Sequence, residues 1–202
     1  MSFDALLCDL DGVIRLYQPD GLADVERVHG LAEGTVTRIA FAPPLLTQAV
    51  TGVISDEQWQ TRIAATLERQ GTPPSAAREL ATAFVDAPHR IDHEVLELLA
   101  VARRRLPVVL VTNGTTRLES DLLALGLADA VDAVVNSARV GVAKPDARIY
   151  EIAAERAGIP AERCLFVDDS PTNVEAARAM GMSGIVYRER ADLAHVIHPL
   201  AR

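Results

Sequence analysis

The sequence predicts an α/β fold: a doubly wound parallel sheet that carries a small α-helical insert. Three observations predict it. Five short runs are apolar throughout, helical patterns separate them, and polar residues suited to ligands end the first, second and fourth runs. Strands that are continuously apolar are covered on both faces, as in parallel sheets wound with helices. Right-handed crossovers bring the carboxyl ends of such strands to one edge, where ligands bind.

Phe3 to Leu10 (FDALLCDL) reads as the first strand, closed by the turn residues Asp11-Gly12. From about Leu16 to Pro88 the alternation stops, because helical periodicity continues without a strand-like run and is divided by Pro43-Pro44 and Pro73-Pro74. This is the insert. Its clearest helix starts at Ser55, with Gln58 completing a capping box and Trp59, Ile63 and Leu67 forming one apolar face. Beyond it, helices are expected over Asp92 to Arg105, Arg117 to Leu125, Asp146 to Ala157 and Pro171 to Met180. Strands are expected over Leu106 to Thr112, Ala130 to Asn136, Arg163 to Val167 and Gly184 to Tyr187. Gly126, Gly158 and Gly181 follow three of these helices as stop signals. The Arg103 to Arg105 run ends a helix, where positive charge is favourable. Residues 1–15 and 90–202 thus form the core domain and residues 16–89 the insert.

Composition narrows the function. With 28 acidic and 20 basic residues the formal charge is −8, and no Lys/Arg cluster beyond the arginine triplet suggests a nucleic-acid partner. Apolar runs stay well below the roughly 20 residues that span a bilayer, and the first residues lack the basic-then-apolar profile of a signal peptide. A cytoplasmic protein without membrane association is expected. Cys8 and Cys164 each sit in an apolar run, without the spacing of a zinc site, and read as reduced core thiols.

Lys144 is the only lysine among the 20 basic residues. An ammonium differs from a guanidinium in size, hydration and geometry, so a lone lysine in an arginine-rich chain marks a position that needs one. It stands in Gly-Val-Ala-Lys144-Pro145-Asp146, just before a helix, where it can neutralise a carboxylate and a phosphate together. Asp9-Leu10-Asp11-Gly12 sets two carboxylates at the end of the first strand. Taken alone this is also the pattern of a simple Asp-Gly turn. Thr112-Asn113-Gly114 offers neutral donors for anionic oxygen, or an ordinary helix cap. Asp168-Asp169 closes the fourth strand, with Asn173 one helical turn later; hard oxygen ligands without histidine suit Mg²⁺.

These four motifs, Asp9-x-Asp11-Gly12, Thr112-Asn113, Lys144-Pro145 and Asp168-Asp169 with Asn173, occur in the order found in the haloacid dehalogenase-like superfamily, which the sequence resembles. The resemblance implies a Rossmann-like core with an α-helical cap at the insert. It implies a Mg²⁺-dependent phosphatase acting on a small phosphomonoester such as a sugar phosphate, through an aspartyl-phosphate. Asp9 would be the nucleophile and Asp11 the general acid, then base. Thr112, Asn113 and Lys144 would bind the phosphate. Mg²⁺ would be held by Asp9, the backbone carbonyl of Asp11 and Asp169, with Asp168 and Asn173 in support. The fourth motif departs from the common Gly-Asp form and resembles the branch of epoxide-hydrolase phosphatase domains and bacterial sugar-phosphate phosphatases. It leaves open which of Asp168 and Asp169 touches the metal.

Other readings are a phosphosugar mutase with the same motifs, a 2-haloacid dehalogenase and a non-catalytic binding protein. A dehalogenase has no use for an acid at Asp11, and the insert lacks the lysine that phosphonate hydrolysis requires. A nicotinamide enzyme would show GxGxxG after the first strand, where Gly12 is followed by Val-Ile-Arg. Arg15 and Tyr17 enter the insert and are candidate substrate contacts. His89 and His93 have metal-type spacing but read as a solvated hinge; His195 and His198 read as surface residues, and Trp59 as core.

Overall fold

The computed structural model describes residues 3–18 and 20–201; residues 1, 2, 19 and 202, which fall within the expected limits of core and insert, lie outside the described residues. In chain order the elements are β1 (Ala5–Cys8), β2 (Arg15–Tyr17), α1 (Asp20–Val28), α2 (Thr35–Ala40), α3 (Leu45–Val50), α4 (Asp56–Arg69), α5 (Pro74–Val85) and β3 (His89–Ile91). There follow α6 (His93–Arg103), β4 (Val108–Thr112), α7 (Leu118–Ala124), β5 (Ala133–Asn136), α8 (Ser137–Val140) and α9 (Ala147–Ala157). The chain ends with β6 (Cys164–Asp168), α10 (Pro171–Ala179), β7 (Ser183–Val186) and α11 (Arg190–Ile197).

Five strands form one parallel sheet in the order β5-β4-β1-β6-β7. The chain winds outward from β1 to β5, then crosses to β6 and β7 on the other side. Strand order therefore reverses at β1, and the crevice at its carboxyl end lies between the ends of β4 and β6. Alternation along each strand divides the core into two layers. Leu6, Cys8, Val108, Leu110, Leu165 and Val167 face one side, with Val95 and Leu99 of α6 and Leu193 and Ile197 of α11. Ala5, Leu7, Val109, Val111, Cys164 and Phe166 face the other, with Ile149, Tyr150 and Ala153 of α9 and Val174 of α10. Both cysteines are free and buried.

β1, β4 and β5 are shorter than their apolar runs, whereas β6 and β7 keep the expected length and shift by one residue. At the start of β4, the Asp132 carboxylate accepts the Val108 N–H at 2.8 Å; before β6, Ala161 to Arg163 wind into a 3₁₀ turn. Helices α6 and α9 begin one residue inside the expected limits, as Asp92 and Asp146 cap them with side-chain oxygens. Two helices lie outside the sequence expectation. Asn136 caps the short α8, and Asp192 of α11 accepts the backbone N–H of Glu189 at 3.0 Å. His195 and His198 are exposed, as expected.

Helices α1 to α5 gather around an apolar cluster of their own, which includes Val36, Trp59, Ile63, Leu67, Leu80 and Ala81. The Ser55–Gln58 capping box forms at the start of α4, and buried Trp59 donates its indole N–H to the Ala40 carbonyl at 3.2 Å. The hinge between this group and the sheet is a two-stranded antiparallel ribbon, β2 on β3, with Tyr17 opposite His89. Three residues per strand show no period, so the sequence pattern misses it. No described helix is long and apolar enough to cross a membrane.

Candidate active site

Strand β1 ends at Cys8, and the next residues turn sharply: Leu10 is buried and its carbonyl accepts the N–H groups of Ile14 and Arg15. Asp9 is thereby left in the crevice, only 6 % exposed, its own N–H held by the Val167 carbonyl of β6. Its Oδ1 accepts the Leu10 N–H at 2.8 Å and lies 2.7 Å from the Lys144 ammonium. Among the described residues these contacts all fall on Oδ1, which leaves Oδ2 available.

The lone lysine is committed on three sides. Besides Asp9, its Nζ donates to Asp168 Oδ2 at 2.7 Å and to the Val111 carbonyl at 3.0 Å. Asn113 fixes the lysine backbone: its side-chain oxygen accepts the Lys144 N–H at 2.8 Å, and its amide donates to the Lys144 carbonyl at 2.9 Å. The side chain expected to meet phosphate is therefore engaged in placing Lys144. Thr112, 1 % exposed, ends β4 beside it.

Asp168 is wholly buried at the end of β6. Its carboxylate also accepts from both the Asn173 amide, at 3.1 Å, and the Ser170 N–H, at 2.8 Å. Asp169 is exposed and lies against Gly12, where a built Cβ would stand 2.3 Å from Asp169 Oδ2. Gly12 also has φ of +82°, so the turn needs glycine on two counts. Gly12→Ala should cost roughly 1–3 kcal/mol through backbone strain and displace Asp169. Denaturant unfolding together with phosphate release measures both; a variant equal to wild type in each would contradict this geometry.

Oxygens of Asp9, Asp168 and Asp169 lie within 4.8 Å of one another, the sole grouping of this kind among the described residues. Exposed His89 and His93 do not join it. Burial, opposed by Lys144 and assisted by the charge of Asp168, leaves the Asp9 carboxyl raised to about 7. Burial works against the Lys144 charge, but Asp9 and Asp168 outweigh it and hold the ammonium above the usual lysine range. Asp169 is raised by burial and by the charge of Asp168. Ionised together, these carboxylates and one ammonium leave two net negative charges, and the donors are all oxygen. That set fits a hard divalent cation such as Mg²⁺.

Asp11 points across the same turn into a two-pronged ion pair, Oδ1 with Arg15 Nε at 2.6 Å and Oδ2 with Nη2 at 3.0 Å. Arg15, expected among the substrate contacts, is instead buried and bound to core acids, since its Nη1 also reaches Asp121 Oδ2 at 3.4 Å. Tyr17 remains half exposed over that guanidinium, 5.2 Å from its ring centre, and edge-on to His89. The insert seats on the Thr112-Asn113 loop: Thr115 donates to Asp56 Oδ1 at 2.7 Å, and Thr116 accepts the Asp56 N–H at 3.0 Å. Asp121, Arg117 and the Arg15 ion pair had only an i, i+4 charge spacing to announce them, one that surface helices share.

The family model for haloacid dehalogenase-like hydrolases matches residues 3–181. The chain belongs to the haloacid dehalogenase-like hydrolases. Phosphatase MT3486 of Mycobacterium tuberculosis is 33% identical over 194 residues, covering 90% of this chain and 86% of its own. Phosphoserine phosphatase of Thermus thermophilus is 38% identical over 124 residues, covering 59% of this chain and 50% of its own, so the match spans half the length of that relative. A haloacid dehalogenase-like enzyme of Bacteroides thetaiotaomicron, solved with magnesium and inorganic phosphate, superposes with a TM-score of 0.75 at 19% identity over 96% of this chain and 98% of its own. That likeness is one of fold. Within this haloacid dehalogenase-like hydrolase, the sheet edge that collects Asp9, Thr112, Lys144 and Asp168 is the crevice at which strand order reverses.

Proposed function

We propose that this hydrolase is a Mg²⁺-dependent phosphatase that cleaves a small phosphomonoester, such as a sugar phosphate, through an aspartyl-phosphate on Asp9. The observation that carries the reading is one turn holding two carboxylates in different surroundings: Asp9 buried on Lys144, and Asp11 more open beside Arg15. A nucleophile and a proton carrier need that separation of roles. Relatives named phosphatases support the reaction class.

Asp9 Oδ2 attacks phosphorus while Asp11 gives its proton to the departing alkoxide oxygen. Asp11 then takes a proton from water as that water attacks the same phosphorus, and the bond to Asp9 breaks to release inorganic phosphate. Thr112 holds the transferring oxygens; Lys144, expected to bind them too, spends its three donors on Asp9, Asp168 and the Val111 carbonyl and so contributes positive charge beside them, and Asn113 keeps it in place. Asp9, the Asp11 carbonyl and Asp169 would hold a Mg²⁺, which would supply the charge neutralisation needed to bring phosphate and carboxylate together. Saturation of Asp168 by Lys144, Asn173 and Ser170 supports Asp169 as the direct ligand, with Asp168 and Asn173 bracing it. Buried free cysteines agree with a reducing compartment such as the cytoplasm, and the relatives named phosphatases support a small phosphorylated metabolite as partner.

Phosphate release from p-nitrophenyl phosphate and a panel of phosphorylated metabolites, with Mg²⁺ and with EDTA, tests this. Release is expected with Mg²⁺ and lost on chelation, and the best ester names the substrate class. No release from any ester by folded protein would sink the reading, and halide release from 2-haloacids would replace it with dehalogenation.

A further inference from the structure

A proton carrier must be aimed. Asp11 has a side chain 35% exposed, and such a carboxylate is free to turn unless something holds it. The two parallel hydrogen bonds from Arg15 fix both of its oxygens, and each oxygen keeps a second lone-pair site for substrate or water. Arg15 is itself immobile. Its N–H donates to the Leu10 carbonyl, its carbonyl accepts the Gly12 N–H, and its side chain is 7% exposed. Behind it, Asp121 accepts from Arg15 and, at 2.9 Å, from Arg117 Nε. Arg117 in turn reaches Asp86 at 2.9 Å, just after α5 of the insert. Apart from Arg15 the members of this network are partly exposed, and ion pairs of that kind contribute little net stability. What it does supply is a fixed orientation for one carboxylate.

We propose that Arg15 is the positioning residue for proton transfer by Asp11, braced from behind by Asp121. The inference rests on the phosphatase reading above and names a residue for a step within it.

The test uses leaving groups. Up to release of the alcohol, kcat/KM for an alkyl phosphate depends on an aimed acid, whereas p-nitrophenolate leaves without a proton. Asp11→Asn sets the scale, with an expected loss of about 10²-fold or more on the alkyl ester and less than about 5-fold on the nitrophenyl ester, in the range of general acid catalysis. Arg15→Met should lose about 10- to 50-fold on the alkyl ester and less than about 3-fold on the nitrophenyl ester, a loss within that range. Arg15→Lys, which keeps the charge without the planar fork, should fall between Arg15→Met and wild type. If Arg15→Met fails to fold, the alkyl-to-nitrophenyl ratio of Arg15→Lys decides.

Equal losses on both esters, or no loss, in Arg15 variants while Asp11→Asn discriminates would overturn the role of Arg15 alone. A wild type inactive on every ester would overturn the underlying phosphatase reading and this inference with it; an Asp11→Asn variant that does not discriminate would overturn the proton role of Asp11, and this inference, while leaving phosphate release standing.

Discussion

Asp9→Asn should lower phosphate release by at least about 10³-fold, the scale on which loss of a nucleophile removes the covalent route, and should leave the fold intact. The amide keeps an oxygen for the Leu10 N–H and the shape of the carboxylate, so the turn at the end of β1 retains its anchor. What disappears is an oxygen able to form a stable bond to phosphorus. Stability should change by less than about 1 kcal/mol, because one charge is lost from a place where it both pairs with Lys144 and repels Asp168. Thermal melting in EDTA, beside the release assay, separates the two effects. Substantial turnover by a folded Asp9→Asn variant would end the nucleophile assignment. Complete loss accompanied by unfolding would instead show that Asp9 holds the crevice together.

Much of this crevice was legible because its chemistry is local in sequence. β1, β4 and β6 end in or run straight into polar residues, and a parallel sheet brings those ends together whatever lies between them. The periodicity of Ser55 to Leu67 likewise reports a helix with one buried face, which the structure bears out at Trp59, Ile63 and Leu67. What could not be read depends on tertiary partners. The ribbon of Arg15–Tyr17 on His89–Ile91 pairs segments separated by the whole insert, and neither is long enough to show alternation. Asn113 looked like a phosphate donor because its residue type suits one; only the fold reveals that Lys144 occupies both ends of its amide. Arg15 looked like a residue entering the insert toward substrate. Its backbone bonds across the turn bring its guanidinium back onto Asp11.

Lys144→Met should be the more damaging change to the molecule as a whole. The side chain is 1% exposed, and its ammonium meets Asp9, Asp168 and the Val111 carbonyl. A thioether of similar length fills the space without a charge, so buried carboxylates lose their counterion. Breaking such a pair by removing one partner costs about 3–5 kcal/mol. The pH dependence has a definite sign. Burial already lifts Asp9 to about 7 with Lys144 in place, and Lys144 draws it down, so its removal lifts Asp9 further. A carboxyl raised in the folded state binds its proton more tightly there than in the unfolded chain, so ionisation costs stability as pH rises. The deficit of the variant should therefore grow as pH rises from about 7 toward 8, where Asp9 of wild type has ionised and that of the variant resists, as read by denaturant unfolding in EDTA. A deficit that shrank over that interval would contradict the burial of these acids against a lysine. Lys144→Arg completes the argument. A planar fork cannot aim three donors from one atom at Asp9, Asp168 and a carbonyl, so phosphate release should fall at least about 10²-fold although the charge is kept. If Lys144→Arg worked within about threefold of wild type, the lone lysine of this arginine-rich chain would owe its place to charge alone.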